Sequence, residues 1–187
     1  MLKISTHKQH ALLKKSTKVY GGDHFKKRKG RQTGRPISTQ HTMHFVLRSK
    51  KATGAWSFLR HKAKIKQILE QFAKKNGVRL KTSANVGNHL HIHLQLTNRH
   101  TYRAFIRAVT GAIVMAVTGT SKWNKIAAAK NFWDGRPFSR IVVGFKAMLS
   151  LDDYIIINQM ESQGYSRSET RFLLRWQSDP RFGPLRV

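Results

Sequence analysis

Residues 78–96 contain two runs of alternating apolar and polar side chains, separated by Gly87. Side chains of a strand point alternately to opposite faces, so each run predicts a β-strand with one apolar face. Glycine tolerates the backbone conformations that tight turns require, and Gly87 therefore marks a turn between the two strands. The stretch predicts an antiparallel hairpin, which restricts the fold to classes that contain a sheet.

The rest of the chain divides into further strands and helices. Residues 41–49 are rich in β-branched and aromatic side chains and predict a first strand. Helical spacing of apolar residues follows at 56–75 and at 100–117, and Asn76-Gly77 is a typical end for the first of these helices. Residues 140–145 predict a short strand, residues 150–162 a third helix and residues 168–176 a short helix in the tail. Ser150 and Asp153 have the spacing of a capping box, which places the start of the third helix at Ser150.

The order strand, helix, strand, strand, helix, strand, helix predicts the fold class. We expect an α+β, ferredoxin-like sandwich with a mainly antiparallel sheet and helices packed on one face. The domain would span residues 37–162, after a basic and flexible N-terminal arm at 1–36 and before a C-terminal helix and tail at 163–187.

Charge restricts the partners of the chain. It contains 36 Lys and Arg against 8 Asp and Glu, a formal net charge of +28. A field of this sign and size attracts polyanions, and phosphate backbones are the obvious counter-charge. The arm carries eleven of these cations and a single acid, Asp23. We therefore predict that the arm binds nucleic acid through Lys26, Lys27, Arg28, Lys29, Arg31 and Arg35, although a solvated tail that aids solubility would show the same composition.

The chain has no cysteine, which excludes disulfides and thiolate metal sites and fits a reducing compartment. The most apolar stretch, residues 104–118, is too short and too polar to span a membrane. The N-terminus lacks the features of a secretory signal. We expect a cytoplasmic, nucleoid-associated protein that does not interact with membranes.

Three histidines alternate with apolar residues in the second strand of the hairpin. His89, His91 and His93 share one face of that strand, and Leu90, Ile92 and Leu94 share the other. Two imidazoles at this spacing can turn onto one ion, and without cysteine the ligands would be N and O donors, which suit Mg²⁺, Mn²⁺ or Zn²⁺. Taken alone, the stripe favours a row of solvated histidines on the outer face of the sheet over a metal site.

A tyrosine lies in the third helix, in what the capping box predicts to be its first turn. Asn158 follows Tyr154 by four residues and so shares its face. Asp152 and Asp153 precede it, and negative charge is favourable near a helix N-terminus. Ordinary amphipathic packing would also explain Tyr154.

Together these elements resemble the HUH superfamily, and within it the single-tyrosine transposases of small insertion sequences and their REP-associated relatives. Asn88-His89-Leu90-His91 takes the place of the family's P-N-H-x-H signature, with Gly87 instead of the proline. The stretches FWDGRPFSRIVV and DDYIIINQ resemble the family's aromatic turn and its Y-I-x-x-N helix. The likeness extends over residues 37 to about 162.

The resemblance implies roles for particular residues. His89, His91 and Asn158 would be the metal ligands, with Gln159 as an alternative donor, and Tyr154 would be the nucleophile. His93 stands where the family usually has an aliphatic residue, so His91 with His93 is a second candidate pair. The cofactor would be Mg²⁺ or Mn²⁺.

The function implied is that of a metal-dependent transposase. It would cut and rejoin single-stranded or hairpin DNA through a 5′-phosphotyrosine intermediate, and families of this type include monomers and homodimers. Bases could stack on Trp56, Phe58, Trp123, Phe132 or Trp133, although each of these aromatic residues could equally belong to the core. The alternatives are an HUH nicking endonuclease that initiates replication or transfer, and a non-catalytic basic protein that binds RNA or DNA.

Overall fold

A computed structural model describes residues 20–21, 35–121 and 127–178. Its strands are β1 (Tyr20–Gly21), β2 (Thr42–Arg48), β3 (Val78–Asn85), β4 (His89–Leu96) and β5 (Phe138–Val142). Its helices are α1 (Lys62–Lys75), α2 (Thr101–Thr118), α3 (Phe145–Glu161) and α4 (Arg167–Ser178). Short 3₁₀ turns occur at Gly54–Trp56 and Ala127–Ala129.

The five strands form one sheet in the order β1-β5-β2-β4-β3, and every neighbouring pair is antiparallel. Strands β2 to β5, with α1 and α2 between them, have the connectivity of a ferredoxin-like fold. The predicted α+β class with an antiparallel sheet is confirmed. The glycine signals are also confirmed, because Gly77 and Gly87 both have positive φ angles, of 60° and 91°.

The main core lies between the sheet and helices α1 and α2. Met43, Phe45 and Leu47 of β2 pair with Leu94, Ile92 and Leu90 of β4 and are fully buried. The facing helices bury apolar residues that recur at helical spacing, namely Ile65, Ile68 and Leu69 in α1 and Phe105, Ile106, Val109 and Ile113 in α2. The hydrophobic effect of burying these side chains holds the sheet and the two helices together.

Helix α3 lies on the opposite face of the sheet, which corrects the prediction that the helices pack on one face. Leu151 and Ile155 of α3 form a second, smaller cluster with Ala84 of β3 and Val142 of β5. Ala84 is paired with His91, so this cluster shares the face of the histidines. Helix α3 thus packs on apolar residues of two different strands, which periodicity within α3 itself does not reveal.

The third helix also begins earlier than predicted. Gly144, with φ of 88°, precedes the first helical residue, Phe145. Ser150 lies inside the helix, where its hydroxyl donates to the carbonyl of Lys146 at 2.9 Å. Its spacing to Asp153 is therefore not a capping box, and Tyr154 lies in the third turn of α3.

The ends of the chain are described only in part. The two residues of β1 pair with β5, and α4 follows α3 in the tail. Lys26, Lys27, Arg28, Lys29 and Arg31 of the predicted arm lie outside the described residues, as does Trp123. Within the described ranges, no helix has the length and apolar character needed to cross a membrane.

Candidate active site

The three histidines of β4 share one face, as predicted, but they do not form a solvated row. His93 is fully buried and His91 is 4% exposed, while His89 is half-buried. Helix α3 and the neighbouring strands cover them. Buried imidazoles require partners or a function, because burying a polar group without a hydrogen bond costs free energy.

A fourth histidine, which the sequence motif did not include, joins this group. His44 of β2 lies with its Nε2 atom 3.1 Å from Nδ1 of His91, and the two rings stack with centroids 5.3 Å apart. It is buried between the strands. The alternation of His44 with the core residues Met43 and Phe45 was a usable signal, because it places His44 on the face opposite the core.

The structure brings Tyr154 to the histidines of its own chain. Its ring is perpendicular to that of His91, with centroids 5.3 Å apart, and lies 6.2 Å from that of His44. Tyr154 is 38% exposed, so one side of the ring is accessible to a substrate. Residues more than 60 positions apart in sequence thus form one site.

The hydrogen bonds of His89 and His91 leave a ring nitrogen of each for a further partner. His89 Nδ1 lies 2.6 Å from the carbonyl oxygen of the Asn88 side chain, so it donates its proton there and Nε2 carries the lone pair. His91 Nε2 is buried and, within the described part of the chain, has no hydrogen-bond partner. A ligating imidazole with its other nitrogen engaged by a neighbour is the arrangement that metal sites use. The donor set fits a divalent ion.

Both histidines are held neutral. Burial, together with the nearby guanidinium of Arg48, lowers the pKa of His89. Burial, with His44 and His89 as smaller contributions, lowers the pKa of His91 from 6.5 to about 3. Neutral imidazole is the form that binds a metal ion.

The lowered pKa of His91 predicts loss of stability in acid. Between pH 6.5 and about 3 the unfolded chain binds a proton at His91 and the folded protein does not, so the free energy of unfolding falls as pH falls. We expect His91→Leu to flatten this dependence when urea unfolding is measured in EDTA at pH 7 and at pH 4.5. Equal losses for the wild type and the variant would contradict this assignment.

The two amides that follow Tyr154 have different surroundings. The side-chain nitrogen of Asn158 donates to the carbonyl of Tyr154 at 2.6 Å, a bond that leaves the Asn158 side-chain oxygen as an available acceptor. The side-chain oxygen of Gln159 instead accepts from the backbone N–H of Asn85 at 3.0 Å. The Gln159 oxygen is thus engaged by β3, and a role for Asn158 as a donor to an ion stays a prediction.

His93 forms a hydrogen bond with Asp152 rather than with another histidine. Its Nδ1 atom lies 2.6 Å from a carboxylate oxygen of Asp152, and the Thr82 hydroxyl donates to the same oxygen at 2.5 Å. Asp152 therefore contacts the sheet rather than only offsetting a helix dipole at the N-terminus. The described residues contain no group of three or more His, Cys, Asp or Glu side chains placed to hold a metal ion. The prediction that His89 and His91 bind a metal ion therefore requires other donors, such as an amide, a water or a substrate oxygen.

Of the residues predicted to bind DNA, Arg35 lies in the part of the chain that the structure describes. The guanidinium of Arg35 donates to the Pro137 carbonyl and to the Ser139 hydroxyl, and lies over the Tyr102 ring at 5.8 Å. These contacts anchor the chain at the start of the domain, and a role for Arg35 in binding DNA stays a prediction.

The aromatic residues proposed for base stacking pack mainly with one another. Phe58 and Phe132 are buried in the core, and Trp56 and Trp133 lie against Phe132 with centroids 6.3 and 5.3 Å from it. Phe58 and Phe132 are therefore not available for stacking on bases.

Comparisons with known proteins identify one family model and two similar solved structures. A family model described as "Transposase IS200 like" matches residues 37–158. A REP-associated tyrosine transposase, solved bound to a REP hairpin, is 14% identical with a TM-score of 0.55, and the match covers 71% of this chain and 74% of that one. A candidate transposase from Deinococcus radiodurans R1 is 19% identical with a TM-score of 0.43, over 68% of this chain and 95% of that one. No curated protein matches the chain at a significant level.

The first of these similar structures supports the fold, and the family model covers more than half of the chain, including every residue from the first predicted strand to Asn158. The chain belongs to the family of IS200-like transposases.

Proposed function

We propose that this transposase cuts and rejoins single-stranded or hairpin DNA by using Tyr154 as a nucleophile beside a divalent metal ion. The observation that carries the proposal is the position of the Tyr154 ring against His91, on the face where two neutral histidines each have an Nε2 atom available. A similar fold is found in a REP-associated tyrosine transposase solved with a REP hairpin, which supports a hairpin substrate.

The reaction exchanges one phosphoester for another. The Tyr154 oxygen attacks the scissile phosphorus, the bond from phosphorus to the 3′-oxygen breaks, and a 5′-phosphotyrosine forms. The phenol loses one proton and the departing 3′-oxygen gains one, so the step is neutral in protons. The free 3′-hydroxyl of another end can reverse the step, and the stored phosphoester removes any need for nucleotide hydrolysis.

The residues of the site have different roles in that reaction. His89, His91 and the Asn158 oxygen would hold Mg²⁺ or Mn²⁺, which when bound polarises the phosphate and offsets charge on its oxygens. Asn88 orients His89 through the 2.6 Å hydrogen bond, and His44 orients His91 through the 3.1 Å contact. The exposed side of Tyr154 admits the phosphodiester.

A denaturing gel tests the proposal. Single-stranded oligonucleotides with hairpins are labelled at the 3′ or the 5′ end and incubated with the protein and Mn²⁺ or Mg²⁺. We expect the 3′ label to become linked to protein and the 5′ label to appear in a shorter free fragment. Nicking without rejoining to a second end would favour the nicking endonuclease, and salt-dependent binding without cleavage or a metal effect would favour the non-catalytic binder.

A further inference from the structure

Helix α3 is attached to the sheet by a polar cluster at one position, formed by Thr82 of β3, His93 of β4 and Asp152 of α3. One carboxylate oxygen of Asp152 accepts from the Thr82 hydroxyl at 2.5 Å and lies 2.6 Å from His93 Nδ1. His93 is fully buried, whereas the Asp152 side chain is 25% exposed. We call these three residues the Asp152 cluster.

Apolar packing alone leaves the rotation of α3 weakly specified. Leu151 and Ile155 are buried against the sheet, but Phe145 and Leu149 of the same helix are exposed. Apolar burial is non-directional, so a helix with large apolar side chains on several sides has more than one way to cover the sheet. A one-residue shift rotates a helix by about 100° and would carry Tyr154 away from His91.

The Asp152 cluster supplies the direction that apolar packing lacks. Hydrogen bonds weaken steeply when they are misaligned, so two donors from different strands onto one oxygen fix where Asp152 lies. Tyr154 follows Asp152 by about 3 Å along the helix, and His91 precedes His93 by about 7 Å along the strand. Residues two positions apart on a helix point about 200° apart around its axis. The contact of Asp152 with His93 and that of Tyr154 with His91 therefore hold the two flanks of the buried stripe of α3 against β4.

Loss of the contact between Asp152 and His93 would also cost free energy of folding. A fully buried imidazole whose other nitrogen has no partner among the described residues depends on its one hydrogen bond. Departure of α3 would leave His93 Nδ1 without Asp152. Nothing in the main core requires a histidine here, because the core faces the other side of β4.

We infer that Asp152, held by His93 and Thr82, is a positioning residue that sets the register of α3 and so presents Tyr154 to the histidine pair of its own chain. The inference rests on the proposed function for its effect on chemistry. Its effect on structure is independent of that function, because the contact between Tyr154 and His91 can be measured without DNA or metal.

The first test is structural. Nuclear Overhauser effects between the ring protons of Tyr154 and His91 are measured in the metal-free protein for Asp152→Ala, Asp152→Asn and Asp153→Ala. We expect the signal to disappear in Asp152→Ala and to survive in Asp152→Asn, whose carbonyl oxygen still accepts both bonds. Asp153→Ala removes an equal charge from the exposed neighbouring position and should retain the signal. Persistence of the signal in Asp152→Ala would overturn the inference.

The second test separates chemistry from binding. The rate constant of adduct formation is measured at saturating oligonucleotide, and DNA affinity is measured in the Tyr154→Phe background. Misplacement of a reacting group by about 1 Å can cost on the order of 100-fold in rate. We expect Asp152→Ala to lose about that much rate while DNA affinity changes less than about twofold, and Asp152→Asn to recover most of the rate.

The outcomes distinguish this inference from the proposed function. Absence of adduct in the wild type, with a Tyr154–His91 signal that depends on Asp152, would refute the function and keep the positioning role. Adduct formation in the wild type, with a rate and a ring signal that are unchanged in Asp152→Ala, would support the function and refute the positioning role. Should Asp152→Ala not fold, Thr82→Val removes one donor and should slow adduct formation about tenfold. An unchanged rate and ring signal in that variant would overturn the inference.

Discussion

Tyr154→Phe is expected to abolish the covalent protein–DNA adduct and to leave DNA affinity within about twofold of the wild type. The substitution removes only the attacking oxygen, so the ring keeps its perpendicular contact with His91 at 5.3 Å. The measurement uses 3′-labelled oligonucleotide on a denaturing gel for the adduct and fluorescence anisotropy for affinity.

Tyr165→Phe is the matched control. Tyr165 is an exposed tyrosine that follows α3, and the same hydroxyl is removed there without touching the histidine face. We expect this variant to form adduct at the wild-type rate. Adduct that persists in Tyr154→Phe, or that vanishes in Tyr165→Phe, would refute the assignment of the nucleophile.

The second large effect concerns the histidine pair. His89→Ala and His91→Ala should each weaken Mn²⁺ binding by about 100-fold and reduce adduct below detection, because each removes one of two imidazole ligands. Isothermal titration with Mn²⁺ measures the affinity directly, without DNA. His100→Ala, at an exposed histidine beside the start of α2, is the control and should change neither quantity.

His93→Leu decides between the two candidate pairs. His93 is engaged by Asp152 through Nδ1, so we expect this variant to keep Mn²⁺ affinity within about threefold while adduct formation slows. Loss of Mn²⁺ binding in His93→Leu, together with its retention in His89→Ala, would assign the ion to His91 and His93 instead.

The fold was largely predictable because its signals are local. The alternation around Gly87 gave the hairpin, and the spacing of Ile65, Ile68 and Leu69 gave the buried face of α1. The predicted start of α3 was wrong because Ser150 and Asp153 match a capping pattern although they lie inside a helix that begins at Phe145. The predicted side of the sheet for α3 was wrong because α3 packs on Ala84 and Val142, which lie on other elements and far away in sequence.

The site was predictable where the residues form a motif and not where they meet through the sheet. His89, His91 and Tyr154 were singled out by the resemblance of their motifs to a known family, and the structure brings these three side chains together. His44 reaches His91 only through the pairing of β2 with β4, and Asp152 reaches His93 only through the docking of α3. Both contacts depend on register between distant segments, which a single sequence does not give.

The position of Tyr154 beside the histidines of its own chain has a consequence for stoichiometry. With Tyr154 as the nucleophile, each molecule can hold at most one DNA end at a time. Joining two ends then requires either two successive cleavages by one molecule or the association of two molecules that each carry a covalently bound DNA end. The amount of adduct trapped per chain would approach, and never exceed, one DNA strand.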